Sequence, residues 1–599
     1  MHKPEVKVTF QPSGRSVFVL PGTLLLEAAG RAGIILQTPC GGKGTCGKCR
    51  VLIGGRSVLA CQERVQEAMT VEVPETSMFE AGQQILTTDS GEKATVNPFV
   101  RIIPFALEAP THADPRSDTE RLLAVIGVDI HIPVDVMREL PGCLRAHQWR
   151  GRAIVAGRRL LALDCRAQSS GVYGVALDVG TTTMVGTLFD LENGRECAVA
   201  SRMNGQIAHG DDVISRIQKI RESPASLQAL QAAVIETVNT IIEDLCRQAR
   251  IAVASIYELV LAGNSTMQQI LLGLDPSALG EVPFVQVFDR AITHPAVRLG
   301  IHANAGADTY VFPQIGGFVG GDTVAGMVAA RLDRQAKPVL LIDIGTNGEI
   351  VLSAGQKLYA ASTAAGPAFE GARIRQGMRA APGAIEKVIL NDDVEVNVIG
   401  NARPAGLCGT ALIDAVAELL RTGIIDETGR IVDADELPAT VSEALRQRLK
   451  PLENENRFEL VPAEEAAGGE AICLWQRDVR ELQLASGAIR AGINILLKRA
   501  GLQAHDLGEV LLAGAFGNFI RRNHARRIGL LPPLPTERIR FIGNAASLGA
   551  KMALLSADER HYADVLCHRT EHVDLSLDAE FQFEFSMAMM FPGPEADRT

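Results

Sequence analysis

Apolar and polar positions alternate over residues 6–10 and again over 16–20, on either side of Gln11-Pro-Ser-Gly14. That pattern predicts two antiparallel strands joined by a turn. Thr23 then opens a helix through a run of leucines and alanines, and residues 50–53 and 57–60 alternate around Gly54-Gly55 as a second hairpin that ends at Cys61. This ββαββ order closes a small sheet around whatever residues 38–50 hold. Further on, over 79–116, the periodicity weakens and Pro98, Pro104, Pro110 and Pro115 punctuate the chain, which predicts a flexible linker at 81–116. Ser117-Asp-Thr-Glu120 reads as a capping box, followed by a short helix or strand over 121–126 and a helix opened by Pro133. Residues 117–171 therefore form a small α/β unit. Near the end, 581–585 alternate as Phe-Gln-Phe-Glu-Phe, the pattern of a strand.

The remaining pattern repeats. Leu177-Asp-Val-Gly-Thr-Thr-Thr183 recurs as Ile342-Asp-Ile-Gly-Thr-Asn-Gly348, each followed by another apolar run, and Glu258-Leu-Val-Leu-Ala-Gly263 recurs as Glu509-Val-Leu-Leu-Ala-Gly514. Two markers in the same order mean two copies of one supersecondary unit. The interval from Asp178 to Gly263 is 85 positions and that from Asp343 to Gly514 is 171, so the second copy carries an insertion, placed at about 392–481. The expected division is 1–80, a linker to 116, 117–171, and 172–599, with one lobe at about 172–335 and the other at about 336–540.

Composition narrows the class. The 599 residues are 47% hydrophobic and 22% charged with a net charge of −11, which suits a globular, multidomain chain and leaves no basic excess to displace counterions from nucleic acid. No apolar run reaches the ~18 residues of a membrane span, and no signal-like segment opens the chain. A cytoplasmic protein with no membrane or nucleic-acid partner is expected. Eleven cysteines in such a chain favour reduced thiols and metal ligands over a disulfide framework.

Four of those cysteines carry the first chemistry. Cys40, Cys46, Cys49 and Cys61 are spaced C-x5-C-x2-C-x11-C, with Gly41, Gly42, Gly44 and Gly47 among the first three. A glycine-rich loop can wrap three thiolates about an iron–sulfur cluster with its N–H groups facing the sulfurs. Four thiolates also satisfy tetrahedral zinc, although zinc ribbons present two separate knuckles. Lys43, Lys48 and Arg50 beside the loop can steer an acidic partner or simply face solvent.

The repeat carries the second chemistry. At a hairpin tip, glycine lets backbone N–H groups approach an anion and threonine adds hydroxyl donors, so Gly180, Thr181, Thr182 and Thr183, and Gly345, Thr346 and Asn347, are candidates to hold phosphates. Asp178 and Asp343, each just before a tip, can hold Mg²⁺ or an attacking water. The alternative is a doubly wound scaffold whose glycines only pack strand on helix.

Residues 1 to about 80 resemble the [2Fe–2S] ferredoxins of the plant and adrenodoxin type, although the last spacing is shorter than in plant ferredoxins. Residues 172 to about 560 resemble the superfamily of actin, sugar kinases and heat-shock chaperone ATPases. That likeness adds Gly514 and Gly517 as an adenosine segment and Gly543-Asn-Ala-Ala-Ser547 as the start of an interlobe helix. The whole chain resembles the reductive activators of corrinoid proteins, also through Leu261-Ala-Gly-Asn-Ser-Thr-Met267, Gly316-Gly-Phe-Val-Gly-Gly-Asp322, Ala364-Ala-Gly-Pro-Ala-Phe-Glu-Gly371 and Gly406-Leu-Cys-Gly-Thr-Ala-Leu-Ile-Asp414.

The implied fold is a β-grasp [2Fe–2S] domain, a small α/β domain and a two-lobed actin-like (ASKHA) ATPase domain with internal duplication. The implied activity is ATP-dependent, one-electron reduction of cob(II)alamin to cob(I)alamin on the corrinoid protein of a methyltransferase, with weak ATPase activity. A [2Fe–2S] cluster, ATP and Mg²⁺ are its cofactors and a low-potential reductant lies upstream. A homodimer is compatible with it. Two alternatives stay open: an ATP-dependent donor to another enzyme, as in dehydratase activators, and a nucleotide-binding redox sensor.

Overall fold

The structure is a computed structural model that describes residues 6–11, 15–32, 34, 36, 49–74, 96–165, 171–210, 212–345, 347–451, 455–514, 520–576 and 578–593. Cys40, Cys46, Thr346 and Gly517 lie outside the described residues.

At the N-terminus, alternation produces the expected strands Val6–Gln11 and Arg15–Val19, the helix Leu25–Arg31, and the hairpin Arg50–Ile53 with Arg56–Leu59. A fifth strand, Met69–Glu72, was not anticipated. It is only four residues long, yet it sits at the centre of the sheet, parallel to Val6–Gln11 and antiparallel to Arg50–Ile53. Val8, Phe10, Val17, Val19, Val51 and Val71 form the core beneath the helix.

The next unit is a three-stranded sheet of Val100–Ala106, Arg150–Ala156 and Arg159–Asp164, covered by the helices Asp118–Ile126 and Val134–Ala146. Ser117 caps the first helix by accepting from Glu120 N at 3.2 Å. Strand Val100–Ala106 lies inside the expected 81–116 linker and shows that this part of it is ordered sheet. Pro104 lies in it, and Val100–Ala106 is an edge strand, the position in a sheet where a residue without an N–H is tolerated. Cys143 and Cys165 correct the expectation of free thiols: packing of helix against strand brings their Cα atoms to 5.9 Å and the two are joined as a disulfide. Their separation of 22 residues offers no spacing signal.

The two lobes share one plan. The first has the sheet order Arg195–Met203, Thr183–Asp190, Tyr173–Val179, Ile256–Gly263, Asp308–Val311, Ile292–Pro295. In the second, Lys357–Thr363, Gly348–Ala354, Val339–Ile344, Glu509–Ala513 and Ile539–Gly543 repeat the first five in order, and the sixth strand, Thr570–His572, joins at the opposite edge, beside Lys357–Thr363. Each sheet is backed by a 25-residue helix, Ala225–Ala249 and Gln476–Ala500. The first buries Leu230, Val234, Val238, Ile241 and Leu245 at helical spacing, and the second buries Val479, Leu482, Ile489, Ile493 and Leu496. Strand Ile256–Gly263 is buried at every position, as a central parallel strand covered on both faces should be.

Helices Gly321–Ala330 and Ala545–Leu555 cross between the lobes, and a Cβ on Gly549 would run into the Ala325 carbonyl, so only glycine permits this crossing. The end of the second crossing helix also holds the start of the small three-stranded unit. Asn97 N donates to Leu555 O at 2.9 Å and Ala557 N donates to Asn97 O at 2.8 Å. Arg152 pairs with Glu192 at 2.7 Å beside this clip. Toward the C-terminus, Phe581–Ala588 is a helix, not the expected strand. Phe581 and Phe585 stack at i, i+4 with ring centroids 6.0 Å apart, and Glu584 bonds Asn494 and Lys498 of the long helix. Among the described residues, no helix is long and apolar enough to cross a membrane.

Candidate functional site

Both Asp178 and Asp343 are the next-to-last residue of a lobe's first strand, and the parallel neighbour places Ala262 beside one and Ala513 beside the other. Gly263 and Gly514 follow those alanines, so the sequence repeat is a repeat of site geometry. The two hairpin tips face one cavity of about 520 Å³. Gly180, Thr181, Thr182, Thr183 and Asn264 line it from the first lobe, and Asp343, Gly345, Asn347 and Gly514 from the second. Gly514 has φ +87°, and a Cβ there would meet Asp343 Oδ1 at 2.5 Å, so this position requires glycine to leave room for the carboxylate.

Two further carboxylates join the cluster: Asp322, quoted in the sequence only as the end of the Gly316–Asp322 segment and given no role, and Glu349, which the sequence reading did not single out. Asp322 stands in the first turn of helix Gly321–Ala330, and Glu349 is the direct cross-strand partner of Asp343. Both line the cavity. Asp178 is held by Asn544, the N-cap of the crossing helix, whose Nδ2 donates to Asp178 Oδ2 at 2.6 Å.

Crowding in a cleft perturbs all four acids. Burial pushes Asp178 up to about 6, against the Asn544 hydrogen bond. Burial and then the neighbouring Asp343 push Asp322 up to about 7. Asp343 is also pushed up to about 7, by burial and then by Asp178. Glu349 is raised well above its ordinary value, by burial and then by Asp322 and Asp343. Mutually repelling carboxylates in a cleft are what a divalent cation relieves, and an all-oxygen donor set suits Mg²⁺. No group of three or more potential ligands among the described residues forms a ready cage. Mg²⁺ commonly takes one or two carboxylates and completes its octahedron with water and substrate phosphates, so the residues present fit that mode.

Residues of the second lobe between strand Lys357–Thr363 and helix Gln476–Ala500, some ahead of the expected insertion at 392–481, supply the other wall. Phe369, Ile399 and Cys408 line it as apolar surface, and Arg379 is the only lysine or arginine among the described lining residues. Such a wall can receive a planar base while the hairpins take phosphates.

At the opposite end of the chain, the register pairs Arg50 with Leu59, and Ala60 N donates to Cys49 O at 2.9 Å. That pairing brings Cys49 and Cys61 to one end of the sheet, both buried. Two of the four expected cluster ligands thus lie buried at the same end of the sheet.

Known proteins follow the same layout. Residues 8–76 match the 2Fe-2S iron-sulfur cluster binding domain, 89–168 the RACo linker region, 173–335 the RACo middle region, and 337–599 the C-terminal domain of RACo, the ASKHA domain. The corrinoid activation enzyme RamQ of Eubacterium limosum is 36% identical over 98% of this chain and 99% of its own. The chain belongs to the reductive activators of corrinoid proteins. Within that family, the solved structure of a reductive activator for corrinoid, iron–sulfur protein superposes with a TM-score of 0.74. It is 32% identical and covers 98% of this chain and 99% of that one. A reductase of the methylated amine-specific corrinoid protein in its Co(II) form, from Methanosarcina barkeri, is 26% identical over 64% of this chain and 70% of its own. The family is one of enzymes, with an N-terminal iron–sulfur domain and a C-terminal ASKHA domain.

Proposed function

We propose that this enzyme uses ATP to deliver one electron from a [2Fe–2S] cluster to the Co(II) corrinoid of a methyltransferase's corrinoid protein, forming Co(I). The observation that carries the reading is one chain with a ferredoxin-type cysteine site at one end and, at the other, a cleft between paired hairpin tips lined by Asp322, Asp343, Glu349, Glu370 and Glu386, with Asp178 near enough to Asp343 to raise it. Such a cluster supplies single electrons at a potential near about −400 mV. Reduction of a bound Co(II) corrinoid lies below that, and a gap of ~200 mV costs about 5 kcal/mol for one electron. Nucleotide binding can offset this only by favouring a state of the complex in which transfer is easier.

The residues divide the work. The tips Gly180–Thr183 and Gly345–Asn347 receive the phosphates, with Gly514 and the apolar wall at the nucleoside. The Asp178/Asp322/Asp343/Glu349 group would hold Mg²⁺, which would neutralise phosphate charge there, and one of Asp178 and Asp343 would orient the attacking water. Closure of the lobes moves helix Ala545–Leu555, whose N-cap Asn544 holds Asp178 and whose last carbonyl holds Asn97. Eleven residues span about 16 Å, so one rigid element links the nucleotide to the root of the ferredoxin tether. Cys40, Cys46, Cys49 and Cys61 hold the cluster, a low-potential reductant recharges it, and Lys43, Lys48 and Arg50 face an acidic donor or acceptor.

The test is anaerobic mixing of pre-reduced protein with a Co(II) corrinoid protein, following the cobalamin spectrum with and without Mg-ATP. Co(I) appearing only with Mg-ATP supports the proposal. Co(I) at equal rates without nucleotide, or none with several such partners, refutes it. Asn97→Pro, which removes the N–H donated to Leu555, should keep ATP affinity but slow Co(I) formation about tenfold if the helix is the link.

A further inference from the structure

The first hairpin tip is held from behind by a buried polar cluster that neither the repeat nor the carboxylates account for. Its three successive carbonyls are all engaged. Asn204 Nδ2 donates to Gly180 O at 2.9 Å, Arg216 Nη2 donates to Thr181 O at 2.7 Å, and Asn204 N donates to Thr182 O at 2.9 Å. Asn264 Nδ2 adds a hydrogen bond to the Thr181 hydroxyl at 3.0 Å.

Arg216 is the centre of this cluster. Its side chain is 0% exposed and is among the largest fully buried side chains of the protein. Beyond Thr181, its Nε donates to Gly210 O at 3.0 Å and its Nη1 to Gln206 Oε1 at 2.9 Å, with Met267 Sδ at 3.0 Å. Gln206 is itself fully buried and fixed through its Nε2 to Leu230 O at 3.0 Å. The helix that carries Arg216, Val213–Glu222, begins at the cavity wall with Val213 and is closed by an Asp212/Ser215 capping box. Burying a guanidinium is costly unless its fork is hydrogen-bonded, and here the planar fork reaches acceptors on three segments at once. A phosphate approaching this turn meets no free carbonyl dipole, because 180, 181 and 182 all point their oxygens at the protein behind them.

We propose that Arg216 is a positioning residue that locks the 180–183 turn in its phosphate-receiving form, with Gln206 and Asn204 fixing it in turn. The proposal rests on the nucleotide reading of the cleft. Arg216 itself does not touch the ligand; it acts through the Thr181 carbonyl. Its effect therefore falls on the phosphates and spares the nucleoside, which binds across the cleft on the second lobe. General destabilisation of the lobe would not produce that split.

The test compares Mg-ATP and adenosine affinities by calorimetry on the full-length protein and on Arg216→Lys and Arg216→Met, with melting temperature recorded for each. Lysine keeps the charge and most of the volume but has no fork, so it is the deciding variant where methionine fails to fold. The expected result for Arg216→Lys is Mg-ATP weakened about tenfold or more with adenosine held within about twofold. The proposal is overturned if Arg216→Lys binds Mg-ATP like the parent, or if Mg-ATP and adenosine weaken by the same factor. A parent protein that binds neither ligand overturns the nucleotide reading as well, and is told apart by that.

Discussion

The two hairpins of the duplicated lobes share a backbone plan but not a chemistry. In the first, the tip runs from Gly180 to Thr183 between Val179 and its partner Met184, and the residue opposite Asp178 is Val185. In the second, the tip is one residue shorter, and the residue opposite Asp343 is Glu349. The first is held from behind by Asn204, Arg216 and Asn264, whereas Gly345 N in the second donates to Asn347 O of its own turn at 2.9 Å. Like charges directly opposite in an antiparallel pair are destabilising, so the Asp343/Glu349 pair exists at a cost that a bound cation removes. Duplication supplied the geometry twice; on the proposed reading the first copy is the rigid holder and the second the charged working face.

This division predicts different kinetic signatures, and the largest belongs to the second hairpin. Asp343→Asn should lower ATP turnover about 10²-fold or more while Mg-ATP affinity stays within a few-fold, as phosphate release and calorimetry would show. Turnover within about threefold of the parent would remove Asp343 from the working face. Next is a linkage effect. Asp322 and Asp343 are pushed up to about 7 and Asp178 up to about 6, all above the ordinary value of 3.8. A folded state that binds these protons more tightly is favoured below about pH 4 and loses that stability as pH rises through 6–7. The melting temperature of metal-free protein should therefore carry a component that falls between about pH 4 and 7, and Mg²⁺ should restore more of it at pH 8 than at pH 6. Equal stabilisation by Mg²⁺ at both pH values would contradict a cation among these acids.

A smaller effect tests the bridge between the lobes. Asn544→Ala takes from Asp178 the one hydrogen bond that favours its charged form, so Asp178 rises further and the acid limb of the ATP turnover profile moves to higher pH. An unmoved limb would mean that Asp178 is not the group titrating there. The smallest is Thr181→Val, which loses the hydroxyl bonded by Asn264. It should raise KM for ATP about threefold with kcat unchanged; a drop in kcat would blur the contrast between holder and working face.

Part of this was legible in the chain. Asp178 and Asp343 stood out because the same D-x-G-T signal occurs twice, each at equal register with a strand ending in glycine. Asp322 and Glu349 did not. Asp322 reaches the cavity only because the crossing helix starts there, and Glu349 is acidic where the first copy has Val185, so comparing the copies hid it. Arg216 reads as an ordinary charged position on the amphipathic helix Val213–Glu222, and only tertiary packing turns it under the tip. Met69–Glu72 was too short to register against its polar surroundings, and Pro104 disguised an edge strand. Phe581 to Phe585 alternate with period two, yet their i, i+4 aromatic pair and the bonds of Glu584 to the neighbouring helix favour α-helix. In each case a contact made far along the chain outweighed the local pattern.

The most direct test of the account joins its two ends in one cuvette. Pre-reduced parent and Asp343→Asn proteins are each mixed rapidly with a Co(II) corrinoid protein and Mg-ATP, and the [2Fe–2S] and cobalamin bands are followed together. For the parent, one Co(I) should form for each cluster oxidised, and only after nucleotide is added; in Asp343→Asn the cluster should stay reduced on that timescale. Cobalt reduced at the parent's rate in Asp343→Asn, or Co(I) formed while the cluster band does not change, would contradict an electron path from the cysteine site governed by the cleft.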